Sequence, residues 1–135
     1  MSQRFCSAAL LFLNILPVAA IFAQPAIPEI PPEIAVQYVG KTVSVKGVVV
    51  EQNRSIYGNT FFNFGGPYPN QVFSACALRR VFTNGVPQCK GATVRIIGKV
   101  KLYMEKPSIV IQDPVYLKII KPAEIRPPKR ATNSS

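Results

Sequence analysis

Residues 40–49 read GKTVSVKGVV and residues 91–100 read GATVRIIGKV. At an offset of 51 residues, five of the ten positions are identical, Gly47 and Gly98 among them, and Val45 matches Ile96. Both stretches alternate with the period of two that marks a half-buried strand. A glycine inside such a strand marks a bulge, a bend or the close approach of a neighbour. Two long strands, each bent midway, are what a small, strongly curled barrel needs.

Outward from this pair, the pattern continues. Pro32–Val39 suits one or two turns of helix, with proline at the first position and Gly40 ending it. The first copy extends to a strand over Thr42–Gln52, with Gly47 placed to reset the register before Val48. Thr60–Phe64 puts Phe62 and Phe64 on one face, Phe61 and Asn63 on the other. Gln71–Leu78 sets Phe73, Ala75 and Ala77 against Val72, Ser74 and Cys76. The second copy extends over Thr93–Tyr103, with Val94, Ile96, Gly98, Val100 and Leu102 opposite Arg95, Ile97, Lys99, Lys101 and Tyr103. Ser108–Gln112 is a fifth strand and Val115–Ile120 a last short segment. Between the third and fourth strands, Arg79–Lys90 is irregular or briefly helical, interrupted by Asn84-Gly85 and Pro87.

This order predicts an all-β domain over residues 32–120: a five-stranded Greek-key OB-fold barrel with a short N-terminal helical segment, after a signal peptide. An SH3-like barrel also has five strands. The long connection before the fourth strand, where OB-folds commonly carry a helix, favours the OB-fold.

The residues also resemble a family. The run from Tyr38 to Gly47, the run from Phe61 to Phe73 and the run from Gly98 to Pro107 are similar to small bacterial exported OB-fold domains of the nucleic-acid-binding, tRNA-anticodon-binding-like type, and Ile111-Gln112-Asp113-Pro114 fits the same pattern. The resemblance covers about residues 35–120. It implies the OB barrel and, by analogy, nucleic-acid binding. Such domains often carry glycine in the turn between the last two strands, where this chain has Met104-Glu105-Lys106.

The N-terminus reads as an address. Arg4 precedes an almost wholly apolar run, Phe5–Phe22, with small residues at Ala19 and Ala20 near its end and Ala23 just after it. That is the order of a secretory signal over residues 1–23, cut between Ala23 and Gln24. An uncleaved anchor is the rival reading, since the run is near the lower length limit for spanning. After cleavage no integral span is expected. The exported chain would be periplasmic or secreted, with residues 24–31 a Pro-rich linker and residues 121–135 a basic, Pro-rich disordered tail.

The full chain carries 16 Lys and Arg against 6 Asp and Glu. Such a balance suits a polyanionic partner, or serves solubility alone. Cys76 and Cys89 are the two cysteines outside the signal, and an oxidising compartment favours a disulfide between them. The bridge would close a short loop and stabilise the fold by about 3 kcal/mol. With no histidine in the chain, two thiolates leave a tetrahedral metal shell incomplete. No phosphate-cradling glycine motif occurs either, so no cofactor is expected. The acidic residues are scattered, the only aspartate is Asp113, and no enzyme is expected.

OB-folds take strands of nucleic acid across the second and third strands, using aromatic faces for bases and cations for phosphates. The candidates here are Arg54 and Tyr57 in the first loop, Phe61 and Asn63 on the second strand and Arg79 in the crossover. Lys99 and Lys101 on the fourth strand complete the set, with Tyr103 and Lys106 at the last turn. Plainer roles stand beside these: Phe61 caps the barrel end while Phe62, Phe64 and Phe73 pack the core, Arg95, Lys99 and Lys101 form a solvated strand face, Arg79-Arg80 solubilises the crossover, and Tyr68 packs between prolines. The expected function is an exported, non-enzymatic binding module for single-stranded nucleic acid or another polyanion. The alternatives are an envelope protein-interaction module, or a membrane-surface or glycan binder driven by the basic tail.

Overall fold

The computed structural model describes residues 26–125. The signal segment, its cleavage point at Ala23–Gln24 and residues 126–135 of the tail lie outside the described residues. Among those described, no helix is long and apolar enough to cross a membrane.

The chain runs β1 (Glu29–Ile30), a 3-10 helix (Pro32–Tyr38), β2 (Thr42–Arg54), β3 (Thr60–Phe64), β4 (Phe73–Ala77), β5 (Thr93–Lys99), β6 (Lys101–Tyr103), β7 (Lys106–Ile111), a 3-10 turn (Pro114–Tyr116) and β8 (Leu117–Lys121). Hydrogen bonds link the strands in the order β6-β7-β4-β3-β2-β5-β8, with β1 beside β2. β4 and β7 run parallel, whereas β2–β3, β3–β4, β2–β5 and β6–β7 are antiparallel. The ladder does not close by hydrogen bonds. The chain itself links the β6 end to β5, the strand next to β8 at the other end, because β5 and β6 are successive pieces of one strand broken at Val100. Val100 bonds through its N–H to the Lys41 carbonyl and through its own carbonyl to the Gly40 N–H. This is the all-β, OB-like architecture that the sequence predicts.

The two matched stretches turn out to be partners. β2 and β5 pair antiparallel, with Val45 opposite Ile96, Val43 opposite Gly98 and Gly47 opposite Val94. Matched positions therefore exchange places about a local two-fold centred on the Val45–Ile96 pair. The register runs unbroken through both glycines. Each is needed because a neighbour lies too close for a side chain: a Cβ on Gly47 would sit 2.5 Å from Pro32 Cγ, and one on Gly98 2.5 Å from Ile109 Cγ2.

The register shift falls instead between Val49 and Glu51. There β2 leaves β5 and takes up β3, and Val50 is the extra residue of the bulge. Before it Val43, Val45 and Val49 point into the core; after it Asn53 pairs with Phe61 and Glu51 with Asn63, on the outer face.

Phe62, Phe64 and Phe73 fill the centre with Ile96, Ile109 and Ile111, all fully buried. The Phe64 and Phe73 rings lie 5.3 Å apart and tilted by 51°, a geometry worth about 0.5–1.5 kcal/mol beyond the area they bury.

Several expectations need correction. Cys76 and Cys89 are free thiols, not a disulfide. Cys76 lies on the face of β4 opposite Phe73, Ala75 and Ala77, while Cys89 belongs to the core cluster with them. A bridge would have to pass through the barrel wall, and side chains directed apart cannot be joined. The linker over residues 24–31 is not all spacer: Glu29 and Ile30 pair with Ser44 and Val45, and Ile30 is buried. Lys121, assigned to the tail, pairs with Thr93 as the end of β8. The crossover after β4 takes the irregular of its two expected forms, with turns at Leu78–Phe82 and Phe82–Gly85 and no helix. Leu102 leaves the core because the strand breaks at Val100, and it is exposed.

Candidate functional site

Because the bulge directs Glu51 and Asn53 outward, a second surface forms across the strands. One cross-strand row runs Glu51, Asn63, Ser74, Ser108 and Lys101; the next runs Asn53, Phe61, Cys76 and Val110. Asn63, Ser74 and Cys76 are buried although they face away from the core. Two pieces of chain rise beside them: the loop between β3 and β4, and the two-residue turn between β6 and β7.

Together they form a cleft of about 360 Å³, within the usual range for ligand sites. Its polar lining is Asn53, Asn63, Gln71, Ser74 and Lys106, and its aromatic lining is Phe61, Tyr68 and Tyr103. Tyr68 and Tyr103 are well exposed, whereas Phe61 is half-buried. Met104 and Glu105 make the turn with φ of 49° and 64°. Both lie in the left-handed region that glycine favours, the pattern of a type I′ hairpin.

Glu51 ties the cleft together. Its Oε2 accepts the Asn63 Nδ2–H at 2.8 Å and the Tyr68 N–H at 2.8 Å. The Tyr68 N–H, then the Asn53 and Asn63 side-chain amides, hold the Glu51 carboxyl below the usual glutamate range, and Lys90 adds to the effect against partial desolvation. Lys106 braces the same loop: its ammonium donates to the Pro69 carbonyl and, at 2.9 Å, to the Gln71 carbonyl.

Beyond Asn53 the surface changes character. Asn53 lines both the cleft and an adjoining depression with Arg54 and Arg79, which in turn runs into a wider one with Tyr57 and Arg80. A point one Cβ out from Gly58 lies 2.9 Å from Arg79 Cδ and 3.5 Å from Arg54 Nη2, so the two arginine side chains lie side by side over that glycine. Among the described residues, neither they nor Arg80 has an acidic partner.

The sequence candidates therefore divide. Phe61, Asn63, Tyr103 and Lys106 meet at the cleft, and Arg54, Tyr57 and Arg79 meet at the arginine depression. Lys99 and Lys101 join neither; Lys101 lies at the end of the polar row and Lys99 opposite Thr42. Arg95, from the same expected stripe, is occupied by Glu29 at 2.8 Å.

Sequence reasoning missed Glu51, Gln71 and Tyr68. The alternation that placed Ser74 opposite Phe73 was signal enough for Ser74. Glu51 is hidden by the bulge, and Tyr68, expected to pack between prolines, presents its ring to the cleft.

No protein-family model matches the chain, and no curated protein matches it. Among solved structures, the chain is similar to a protein of Leishmania major Friedlin provisionally named an aspartyl-tRNA synthetase, with a TM-score of 0.55 and 12% identity over 84% of this chain and 24% of that one. What the two share is the OB fold. The chain is also similar to two structures of asparaginyl-tRNA synthetase from Pyrococcus horikoshii, one complexed with asparaginyl-adenylate, at 18% identity, 73% coverage of this chain and TM-scores of 0.49 and 0.47. In all three, this chain spans about a quarter of the other's length.

Proposed function

We propose that the protein is an exported, non-enzymatic OB-type binding module that takes single-stranded nucleic acid across the outer face of β3, β4 and β6. One observation carries the reading: a cleft lined by three aromatic rings and polar side chains opens past Asn53 onto paired arginines with no acidic partner among the described residues. Bases stack on aromatic faces whatever their identity, and cations beside them follow the phosphates. The synthetase neighbours bear on the fold, and the ligand rests on the cleft. The chain has no histidine, and Glu51, the carboxylate at the cleft, is spent on two hydrogen bonds. This supports binding over catalysis. Export rests on the apolar run Phe5–Phe22 and the small residues Ala19, Ala20 and Ala23 around its end.

Fluorescence anisotropy of oligo-dT and oligo-rU with residues 24–135, at two salt concentrations, tests the reading. Binding should weaken with salt at a log–log slope of about −0.7 per phosphate contacted. Phe61→Ala should cost about 1–3 kcal/mol, and Arg54→Ala or Arg79→Ala should each flatten the slope by about 0.7. Lys99→Ala should bind as wild type. No affinity for either oligomer, or full affinity in Phe61→Ala, refutes the proposal.

A further inference from the structure

The hydrogen bonds around Glu51 say more than that a cleft exists. A carboxylate offers only acceptors, so the Asn63 amide must turn its NH2 toward Glu51 and its Oδ1 away. Asn63 lines the cleft and is 4% exposed. Among the described residues, the Asn63 side chain bonds through its Nδ2 alone, and its Oδ1 keeps contact with solvent. Gln71, beside it in the lining, has an Oε1 that is buried and equally without a donor. Lys106, the cation in the same lining, turns its ammonium to the Pro69 and Gln71 carbonyls, so Asn63 Oδ1 is a side-chain acceptor at the cleft without a donor of its own. The same Glu51 oxygen holds the Tyr68 backbone, so one atom sets both the polar lining and an aromatic wall. Glu51 stays acceptor-only because the Tyr68 N–H and the two amides favour its ionised form.

We propose that the cleft selects a planar ring bearing an N–H donor on its edge, and that Glu51 is the positioning residue that imposes this choice by fixing Asn63 Oδ1 as the acceptor. The inference rests on the single-strand reading above and refines it. One unstacked base lies against the rings of Phe61, Tyr68 and Tyr103, and its edge N–H meets Asn63. A base without that donor leaves Asn63 Oδ1 desolvated and unpaired, which costs more than the hydrogen bond itself gains.

Uracil gives a clean test, because N3–H is the only donor on its pairing edge and one methyl group removes it. Anisotropy with oligo-rU and with an oligomer of N3-methyluridine should show about 10-fold weaker binding of the methylated strand, one hydrogen bond's worth plus the unpaired acceptor. The methyl also adds bulk, and Glu51→Gln separates the two causes. That variant keeps the volume of the cleft but offers Asn63 a donor as well as an acceptor, freeing its amide to turn. Selectivity by the fixed acceptor predicts that discrimination falls to about 2-fold or less; rejection by bulk predicts that it persists.

Asn63→Ala leaves the Glu51 hold on Tyr68 intact and should abolish the discrimination, which keeps the test decisive should Glu51→Gln not fold. Equal binding of both strands by wild type overturns the inference and leaves the single-strand reading standing. Binding of neither overturns both. Full discrimination in a folded Glu51→Gln removes the positioning role.

Discussion

The glycine of the second matched stretch can be weighed atom by atom. In Gly98→Ala the new methyl would lie 2.5 Å from Ile109 Cγ2, with the next contacts, Cβ and Cγ1 of the same residue, at 3.7 and 3.9 Å. Carbons pack at about 3.5–4.0 Å, so about 1 Å must be opened against a fully buried isoleucine. Overpacking of this kind costs about 1–3 kcal/mol. Because a single methyl group is in the way, about 2 kcal/mol is expected, or a fall in Tm of about 8–16 °C for a domain of this size.

Ile109→Leu moves the branch away from Cβ and removes the obstructing atom, at a cost of its own under about 1.5 kcal/mol. If the clash is the cause, Gly98→Ala with Ile109→Leu should cost no more than either change alone, a favourable coupling of about 1 kcal/mol or more. Gly47→Ala offers no such relief. Its methyl would meet Pro32 Cγ at 2.5 Å and Cδ at 2.9 Å, and a ring has no rotamer to yield, so about 3 kcal/mol is expected. Urea unfolding of the four variants and the wild type reads all of these. Additive losses in the Gly98–Ile109 pair, or a harmless Gly98→Ala, would refute the close-approach account of these glycines.

Other perturbations follow from single contacts. Glu105→Gly relieves a left-handed residue at the β6–β7 turn, and the urea midpoint should rise by the equivalent of about 0.5–1 kcal/mol after the added entropy of glycine is allowed for; a fall would show that the Glu105 side chain stabilises the turn. Ser44→Ala removes a buried hydroxyl with no partner and should be neutral or stabilising, whereas a loss above about 1 kcal/mol would reveal a hidden bond. Cys76 and Cys89 are buried, and desolvation pushes both thiols up. A thiol reagent should therefore count both only after denaturation, and reductant should leave Tm unchanged; a Tm lowered by reductant would restore the disulfide. Glu51 is held ionised in the folded state, so its contribution is present above the ordinary glutamate range and is lost as pH falls through its depressed native value. Glu51→Gln should unfold earlier than wild type at pH 7 and converge with it in acid, and a gap that stays constant with pH would argue against the carboxylate's role.

Much of the barrel was legible because alternation is a local signal. Thr60–Phe64 and the core of Thr93–Lys99 match the sequence expectation, since each is buried on one face along its whole length. What was not legible depends on which strands meet. That Cys76 and Cys89 lie on opposite sides of the wall follows from the phase of β4 and from the crossover's path into the core, and cysteine spacing carries neither. The aromatic part of the site was half visible. Phe61 and Asn63 follow from period two, whereas Tyr68 is held at the cleft by long-range contacts, the Glu51 carboxylate on its backbone N–H and Lys106 on the neighbouring carbonyls.

The placement of Glu51 shows where sequence reasoning could have gone further. Plain alternation from Val43, Val45 and Val49 would turn Glu51 into the core, and an unpaired carboxylate is not tolerated there. Some shift of register between Val45 and Glu51 was therefore required by charge alone. Gly47 was the natural place to put it, since glycine is common at bulges. The structure gives Gly47 a different task, making room for Pro32, and moves the shift to Val50, where β2 passes from β5 to β3. A strand that serves two partners must change its hydrogen-bonding direction between them, so the bulge belongs at the exchange and not at the most permissive residue. That one extra residue turns Glu51 and Asn53 to the outer face, and with them the anchor of the cleft and its link to the arginines.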